Sequence, residues 1–242
     1  MTHSPLAIDP SVIGPSRVSP WLIKLIYPLG TKFLHWYFGS INIHGQENLP
    51  RSGPVILAPT HRSRWDAILL SLAAGRGVTG RDLRFMVAVT EVQGLQGWFI
   101  RHLGGFPVDV KRPEISSLSY SVQLLQAGEM LVIFPEGGIF RDQQMVHPLK
   151  RGIGRIAMEV CKQDPSNPVQ VIPVTIAYGD PYPHKGTTVE INFGRGIAAK
   201  DYDPSTIKAS SQKLTHCLAQ RMQSLYSPEE GHLCRAIAAS GI

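Results

Sequence analysis

Short apolar runs alternate with helical stretches from residue 55 to residue 226, and this alternation limits the fold more than any other feature. The apolar runs predict strands at residues 55–58, 83–89, 106–110, 130–134, 169–177 and 189–193. Helical spacing and helix-end signals predict helices at residues 64–74, 95–102, 113–127, 152–162 and 204–226. Strands interleaved with helices form a sheet that helices cover. We therefore expect an α/β fold, a single layered domain with a largely parallel or mixed sheet flanked by helices.

Length and composition indicate one globular domain preceded by a separate N-terminal segment. The 242 residues show no composition shift that would divide them, and 43% of them are hydrophobic, so we expect one well-filled core. Four prolines among the first twenty residues predict an extended arm. We place this arm and an interfacial helical segment at residues 1–45, and the main domain at residues 46–242.

The segment at residues 21–38 mixes aromatic and aliphatic side chains with polar interruptions. The apolar pattern is broken at Lys24, Pro28, Gly30, Lys32 and His35. No run of about 18 apolar residues remains that would cross a bilayer. Aromatic rings combined with lysines are typical of an amphipathic segment that lies in a membrane interface. A pair of amphipathic helices packed on the core explains the pattern equally well.

The charge balance and the cysteines bear on partners and compartment. The net charge of +6 and the pI of about 9.3 favour anionic partners, such as lipid headgroups, phosphorylated substrates, an acidic carrier protein or nucleic acid. Cys161, Cys217 and Cys234 are odd in number and widely spaced, which favours neither a zinc site nor a disulfide framework. The N-terminus lacks the basic start and apolar core of a secretion signal. We therefore expect the chain to remain in a reducing compartment inside the cell.

An imidazole and a carboxylate, His61 and Asp66, lie five residues apart where an apolar strand gives way to a helix. On one regular helix they would point roughly 140° apart and fail to meet. Ser63 and Asp66 resemble a capping box, with Ser63 at the N-cap, which would leave His61 outside the helix and free to reach Asp66. A histidine oriented by a carboxylate is a general base for a hydroxyl group. The alternative is that Asp66 only caps the helix and His61 is an ordinary loop residue.

Three further stretches of unusual composition follow at predicted strand ends. The first is residues 104–112, a strand that ends in the adjacent cations Lys111 and Arg112. The second is residues 131–141, where Phe134 to Gly137 reads Phe-Pro-Glu-Gly and Arg141 follows. The third is residues 171–175, a strand with an internal proline. Because active-site loops collect at strand ends in α/β folds, these stretches are candidates for one site.

These blocks, in this order, resemble those of the glycerolipid acyltransferases of the lysophosphatidate (1-acylglycerol-3-phosphate) acyltransferase type. The family motifs are H-x-x-x-x-D, a G-x-x-F/P-x-x-R element, F-P-E-G and a proline-bearing strand. They match His61 with Asp66, residues 105–112, residues 134–137 and residues 171–173. The resemblance covers roughly residues 50–180. Four blocks in the family's order are far less frequent by chance than any one of them alone.

The resemblance implies a direct acyl transfer. His61 would be the general base on a free hydroxyl of a lysolipid, Asp66 would orient it, and the hydroxyl would attack an acyl thioester. No G-x-S-x-G elbow occurs in the sequence, and no acyl-enzyme is needed. Backbone amides near Gly137 and Gly138 are candidates for oxyanion donors. The acceptor and its phosphate would be bound by Lys111, Arg112, Glu136, Gly137 and Arg141, and Pro173 would shape the acyl-donor region.

Two departures from the family pattern fall on the cations that should recognise the acceptor. Val110 stands where an arginine usually follows the Pro-Val-Asp step, and the cations come one and two residues later. Glu136 is followed by Gly-Gly-Ile-Phe-Arg instead of Gly-Thr-Arg, so Arg141 is displaced. Glu136 itself either contacts the acceptor or holds neighbouring backbone and arginine groups, and a solvated strand-end glutamate is the alternative. The departures leave the identity of the acceptor open.

Other side chains near these blocks have two explanations each. Lys150 and Arg151 either add positive potential beside the pocket or form a solvated basic turn. Hydrophobic side chains wall an acyl groove or belong to the ordinary core at Leu95, Trp98, Phe99, Ile100 and Leu103. His102, His147 and His184 have no partner at metal-ligand spacing. We expect no metal and no cofactor.

The leading hypothesis is acyl transfer from an acyl carrier protein or coenzyme A thioester to lysophosphatidate, giving phosphatidate in phospholipid biosynthesis. The same chemistry on glycerol 3-phosphate, another lysophospholipid or a lyso-aminolipid is the first alternative. A non-catalytic lipid-binding or nucleic-acid-binding protein is the second, and the absence of a recognised nucleic-acid motif disfavours nucleic acid. We expect a peripheral or monotopic protein on the cytoplasmic side of a membrane. The sequence leaves the oligomeric state open.

Overall fold

Eight strands form one mixed sheet in the computed structural model, which describes residues 16–109, 115–142 and 145–226. The strands are β1 Ser40–His44, β2 Val55–Pro59, β3 Leu83–Ala88, β4 Gly105–Val108, β5 Met130–Val132, β6 Gln170–Tyr178, β7 Thr188–Phe193 and β8 Ile197–Ala198. The order is β1-β7-β6-β2-β5-β3-β4, and β8 also pairs with β6. Strands β2 to β6 are parallel, whereas β7 and β8 run antiparallel to β6. The predicted α/β class with a largely parallel, mixed sheet is confirmed.

Helices cover both faces of the sheet. They are α1 Pro20–Tyr37, α2 Asp66–Ala74, α3 Arg76–Thr79, α4 Gly94–His102, α5 Ile115–Gln126, α6 Gly152–Gln163 and α7 Ile207–Ser224. Leu34 of α1 and Leu69 of α2 belong to the hydrophobic core on one face. Buried side chains of α5, α6 and α7 form the core on the other face. This three-layer arrangement explains the alternation of strands and helices in the sequence.

The central strand β2 shows why the strands read as continuous apolar runs. All five of its residues are buried, because helices cover both sides of a parallel sheet. Successive side chains point to opposite faces, so Val55 and Leu57 belong to one core while Ile56 and Ala58 belong to the other. The strand ends at Pro59, and the next residues form the loop that carries His61. The carboxyl edge of the sheet is therefore where the first motif lies.

The predicted elements all occur, with shifted ends, and the structure adds others. Strand β1 was not predicted, and it lies within residues 1–45, so the sheet begins before residue 46. The short strand β8 was also missed. The segment at residues 21–38 is one helix, α1, and not a pair, although Pro28 lies inside it. The proline removes only one backbone donor, and packing of Leu34 and its buried neighbours offsets that loss.

Pro173 lies inside the sheet at the point where β6 changes its neighbour. Toward its start β6 pairs with β8, and from Val174 onward it pairs with β7. The carbonyl of Pro173 accepts a hydrogen bond from the amide of Gly194 at 2.9 Å. Since the N–H and C=O of one strand residue point to the same edge, the missing N–H of the proline faces this junction and not β2. The proline therefore costs the β2–β6 ladder nothing.

Helix α1 has two apolar faces. Leu22, Ile23 and Leu34 are buried against the domain. Five large apolar side chains at helical spacing remain exposed on the other side, namely Trp21, Leu25, Leu29, Phe33 and Trp36. Among the described residues, no helix is both long enough and apolar enough to traverse a bilayer.

Candidate active site

His61 and Asp66 are in contact, as the spacing predicted. His61 lies in the loop after β2, and its Nδ1 is 2.8 Å from Oδ2 of Asp66, the first residue of α2. An ionised carboxylate only accepts hydrogen bonds, so Nδ1 carries the hydrogen and Nε2 is left as the acceptor. The His61 side chain is 22% exposed and the Asp66 side chain is fully buried. The pair therefore presents one imidazole nitrogen to solvent and keeps its anion inside the protein.

The buried carboxylate of Asp66 is fully hydrogen-bonded. Its Oδ2 also accepts the amide N–H of Arg62 at 2.7 Å and that of Ser63 at 3.0 Å. Its Oδ1 accepts the hydroxyl of Tyr178 at 2.5 Å. These hydrogen bonds satisfy both oxygens of a buried carboxylate, which would be costly to bury without partners.

The start of α2 differs from the predicted capping box. Trp65 occupies the N-cap position and Asp66 is the first helical residue, not the third. Oγ of Ser63 accepts the amide of Trp65 at 3.3 Å, and only the reciprocal half of the box is made, from the Ser63 amide to Asp66. The turn at residues 63–65 precedes the helix because the amides of Arg62 and Ser63 both converge on Asp66. His61 nevertheless lies outside the helix, as expected.

A buried ion pair joins the first motif to the third. Arg62 and Glu136 have fully buried side chains and form two hydrogen bonds, of 2.8 Å and 3.2 Å. Burial acts to lower the pKa of Arg62, but the hydrogen bond to Glu136 and the neighbouring Tyr226 hold that pKa above its ordinary value. Arg62 also donates to the carbonyls of His61 and Met145. The guanidinium thus ties three loop segments together.

Glu136 supports the histidine loop. Besides Arg62, its oxygens accept the amide of His61 at 2.8 Å and the amide of His147 at 3.0 Å. The alternative of a solvated carboxylate is wrong, because no part of the Glu136 side chain reaches solvent. Contact of Glu136 with the acceptor stays a prediction. Glu136 holds neighbouring backbone and arginine groups, which was the other role considered.

Aromatic contacts complete the support of His61. Its imidazole stacks on the ring of Phe134, with centroids 4.0 Å apart. Its carbonyl accepts the amide of Phe140 at 2.9 Å. The Phe-Pro-Glu-Gly block therefore touches His61 by the ring of Phe134 and the carboxylate of Glu136, and Phe140 adds a backbone hydrogen bond just beyond the block.

His61 lines a largely apolar cavity of about 840 Å³. Its walls come from α1, α2, β3, α4, α5 and α6 and from the loop after β5. Of the predicted groove residues, Phe99, Ile100 and Leu103 line it, whereas Leu95 and Trp98 are not among the lining residues. A cavity of this size with mostly apolar walls suits a hydrocarbon chain.

The predicted acceptor-binding residues lie in different places. Gly137 lines the cavity, but Arg141 is not among the lining residues. Arg141 lies against the loop after β6, with its guanidinium 4.5 Å from the ring centre of Tyr182 and hydrogen-bonded to the carbonyl of Pro181. Lys111 and Arg112 lie outside the described residues. The phosphate contact of Arg141 stays a prediction, and in this arrangement its guanidinium lies against Tyr182.

Pro173 and the candidate oxyanion donors also have definite positions. Pro173 is buried within the sheet and is not among the cavity-lining residues, so its part is structural. The amide of Gly137 donates to the carbonyl of Phe134 at 3.2 Å, which commits it within the turn. Gly138 lines the cavity and remains the candidate oxyanion donor of the two.

Sequence reasoning missed several residues of the site. The missed residues that hold the His61 loop from the protein interior are Arg62, Tyr178 and Tyr226. The two tyrosines lie more than 100 residues from that loop along the chain. Tyr226 donates its hydroxyl to Thr60 at 3.2 Å. The one sequence signal for a role of Arg62 was its location inside the first motif, between His61 and Ser63.

Comparison with known proteins places the chain in a family. The sequence model of the Acyltransferase family matches residues 40–177. The chain belongs to the Acyltransferase family. This acyltransferase-family chain is 34% identical, over 120 residues, to the 1-acyl-sn-glycerol-3-phosphate acyltransferase of Bacillus subtilis (strain 168), covering 49% of this chain and 57% of that protein.

Two further comparisons agree with this family. The chain is 28% identical to the 1-acyl-sn-glycerol-3-phosphate acyltransferase of Streptococcus pneumoniae, covering 77% of this chain and 64% of that protein. It therefore spans less than two thirds of the length of these two relatives. The crystal structure of the 1-acyl-sn-glycerophosphate acyltransferase of Thermotoga maritima shares the fold, with a TM-score of 0.59, 20% identity and coverage of 83% and 79% of the two chains.

Proposed function

We propose that this protein is an O-acyltransferase that moves a fatty acyl group from an acyl thioester to the free hydroxyl of lysophosphatidate. The observation that carries the proposal is the His61–Asp66 pair on the wall of a large apolar cavity. The relatives from Bacillus subtilis and Streptococcus pneumoniae, both named 1-acyl-sn-glycerol-3-phosphate acyltransferases, support this acceptor. Both catalytic residues fall in the part of the chain that the family model matches.

In the proposed mechanism Nε2 of His61 takes the proton of the acceptor hydroxyl as its oxygen attacks the thioester carbonyl carbon. Asp66 stabilises the imidazolium that forms. The tetrahedral intermediate collapses, the carbon–sulfur bond breaks, and the departing thiolate takes the proton from His61. The products are the acylated acceptor and a free thiol. General-base catalysis of this kind contributes about 10² to 10⁴ in rate.

Lys150 is the proposed partner of the acceptor phosphate. The cations Lys150 and Arg64 line the cavity with His61, which is the neutral base. Lys150 lies beside Gly137, and its backbone amide donates to the carbonyl of Pro135 at 2.8 Å. An ammonium at this wall supports recognition of a phosphorylated acceptor in place of the displaced Arg141.

We also propose that the protein binds to a membrane surface through the exposed apolar face of α1. Lys24 and Lys32 are exposed on the same helix, and residues of α1 such as Ile26 and Gly30 line the cavity. An apolar stripe flanked by lysines supports a location at a lipid interface. A lipid acceptor would then enter the cavity from the bilayer. The proposal places the protein on the cytoplasmic side of that membrane.

The test is acyl transfer from a radiolabelled acyl thioester to a panel of acceptors, with acyl carrier protein and coenzyme A thioesters compared as donors. We expect phosphatidate from lysophosphatidate, and a fall of about 10² or more in kcat for His61→Ala and for Asp66→Asn. His216→Ala, which removes an exposed imidazole from α7, is the matched control and should keep wild-type activity.

Two outcomes would redirect the proposal. Full activity of a folded His61→Ala variant would remove the general base. Preference for glycerol 3-phosphate would favour the alternative acceptor, which is the acceptor in the name of the pig mitochondrial relative, 28% identical and covering 67% of this chain and 22% of that protein.

A further inference from the structure

The two oxygens of the Asp66 carboxylate have different partners. Oδ2 accepts three hydrogen bonds, from the ring of His61 and from the amides of Arg62 and Ser63. Oδ1 accepts the hydroxyl of Tyr178 at 2.5 Å. A carboxylate bound at only one oxygen is free to rotate about its Cβ–Cγ bond, whereas donors on both oxygens fix its plane.

Tyr178 is well suited to donate this hydrogen bond permanently. It is the last residue of β6 and is only 4% exposed. Its ring lies near that of Phe38, with centroids 6.2 Å apart. Burial, and then the negative charge of Asp66, raise the pKa of Tyr178 far above its ordinary value. The hydroxyl is therefore protonated at neutral pH and able to donate to Asp66.

We propose that Tyr178 is a positioning residue for the His61–Asp66 pair, because its hydroxyl fixes the plane of the Asp66 carboxylate and so keeps Oδ2 aligned with Nδ1 of His61. This inference rests on the proposed function, since it assigns a part in the same catalytic site. Tyr178 is buried and is not among the cavity-lining residues. It acts through Asp66 and touches no substrate.

The physical consequence concerns which nitrogen of His61 carries the hydrogen. With Tyr178 in place, Oδ1 is satisfied and Oδ2 is reserved for its three donors. Without that hydroxyl, the buried Oδ1 is an unpaired anionic oxygen, so the carboxylate turns to share the other donors. The hydrogen bond to Nδ1 then weakens. The tautomer that carries its hydrogen on Nε2 becomes more populated, and Nε2 of that tautomer is unable to accept the proton of the acceptor hydroxyl.

The experiment compares Tyr178→Phe with the wild-type protein. We expect kcat to fall about tenfold, while KM for acceptor and thioester stays within about twofold, because the binding surfaces are unchanged. Nitrogen NMR of the His61 ring should show a larger fraction of the Nε2–H tautomer. Placing 3-fluorotyrosine at position 178 retains the hydroxyl and should retain kcat.

Tyr120→Phe is the matched control. The Tyr120 hydroxyl is hydrogen-bonded to Ser16 in a partly buried place and Tyr120 is not among the cavity-lining residues, so its loss should leave kcat and the His61 tautomer unchanged. Wild-type kcat in folded Tyr178→Phe would overturn the inference, and so would a reduced kcat with an unchanged tautomer. A wild-type protein that acylates no acceptor would instead overturn the proposed function, and the tautomer comparison would still decide the part of Tyr178.

Discussion

At the scale of single residues, Lys150 reaches the cavity wall because residue 137 is a glycine. Gly137 has a φ of +72°, and a Cβ added to it would collide with Cε and Nζ of Lys150. A glycine is the residue that adopts this φ without strain and leaves this space open. Gly137 of the third motif and Lys150 therefore form one local structure.

Replacement of Lys150 by methionine tests the proposed phosphate contact. A charge-assisted hydrogen bond is typically worth about 1.5–3 kcal/mol, so we expect KM for lysophosphatidate to rise about tenfold or more in Lys150→Met. KM for a neutral acyl thioester should change little. Steady-state kinetics with each substrate varied in turn give both values.

The control for that experiment is Lys162→Met, near the other end of α6 and exposed, which should leave both KM values unchanged. Monoacylglycerol, which lacks the phosphate, is the second control. If Lys150→Met weakened transfer to monoacylglycerol as much as transfer to lysophosphatidate, Lys150 would not recognise the phosphate.

The direction of the Glu136 side chain is visible only in its buried pair with Arg62. From the sequence, Glu136 was a candidate to touch the acceptor. In the structure both of its oxygens bind protein groups, among them the amide of His61. Residue type and spacing predicted that Glu136 belongs to the site, but the direction of its side chain depends on Arg62, which the motif does not mark.

At the scale of secondary-structure elements, the contact between α6 and α7 depends on a glycine. A Cβ at Gly154 would lie 2.5 Å from the carbonyl oxygen of Ser211 and 2.7 Å from Oγ1 of Thr215. The two helices pack closely because residue 154 has no side chain. Helix α7 in turn leads to Tyr226, whose hydroxyl binds Thr60 beside the His61 loop.

Gly154→Ala should lower the free energy of unfolding by about 1–3 kcal/mol, because the added methyl group forces α7 away from α6. Gly152→Ala lies two residues earlier in the same helix, where an added Cβ meets nothing within 4 Å. That variant should be neutral or more stable by up to about 1 kcal/mol, because alanine favours the helix. Urea unfolding of both variants measures the difference, and equal stability would contradict the packing argument.

At the scale of the whole molecule, apolar surface is concentrated on the side where α1 and α4 lie near the cavity. Large exposed hydrophobic side chains include Leu25 and Leu29 of α1 and Leu95 of α4. Residues of both helices also line the cavity. A continuous path from a lipid surface to His61 follows from this arrangement if the apolar face of α1 docks on a membrane.

Leu25→Ser combined with Leu29→Ser should weaken binding to phosphatidylglycerol vesicles at least tenfold, because burying each leucine in an apolar environment is worth about 1.5–3 kcal/mol. Vesicle flotation measures the bound fraction. Tyr182→Ser removes an exposed ring from the loop after β6 and should bind as the wild type does. Unchanged flotation of the double variant, with circular dichroism showing a folded protein, would exclude α1 as the membrane contact.

The sequence by itself determined the α/β class, most of the helices and strands, and the pairing of His61 with Asp66. These features are local: apolar periodicity reports which side of an element is buried, and five residues of chain are enough to bring His61 back onto the first turn of α2. It also determined that the Phe-Pro-Glu-Gly block belongs with that pair.

The tertiary structure decided what lies behind the pair and which cations face the cavity. Tyr178 and Glu136 reach the His61 loop from 112 and 75 residues away along the chain, and no local pattern records contacts between side chains so far apart. Strand β1 was invisible for the same reason, since its pairing with β7 depends on residues 188–192. Only packing sets the path of the loop after β5, and that path leads Lys150 to the cavity wall and Arg141 to Tyr182.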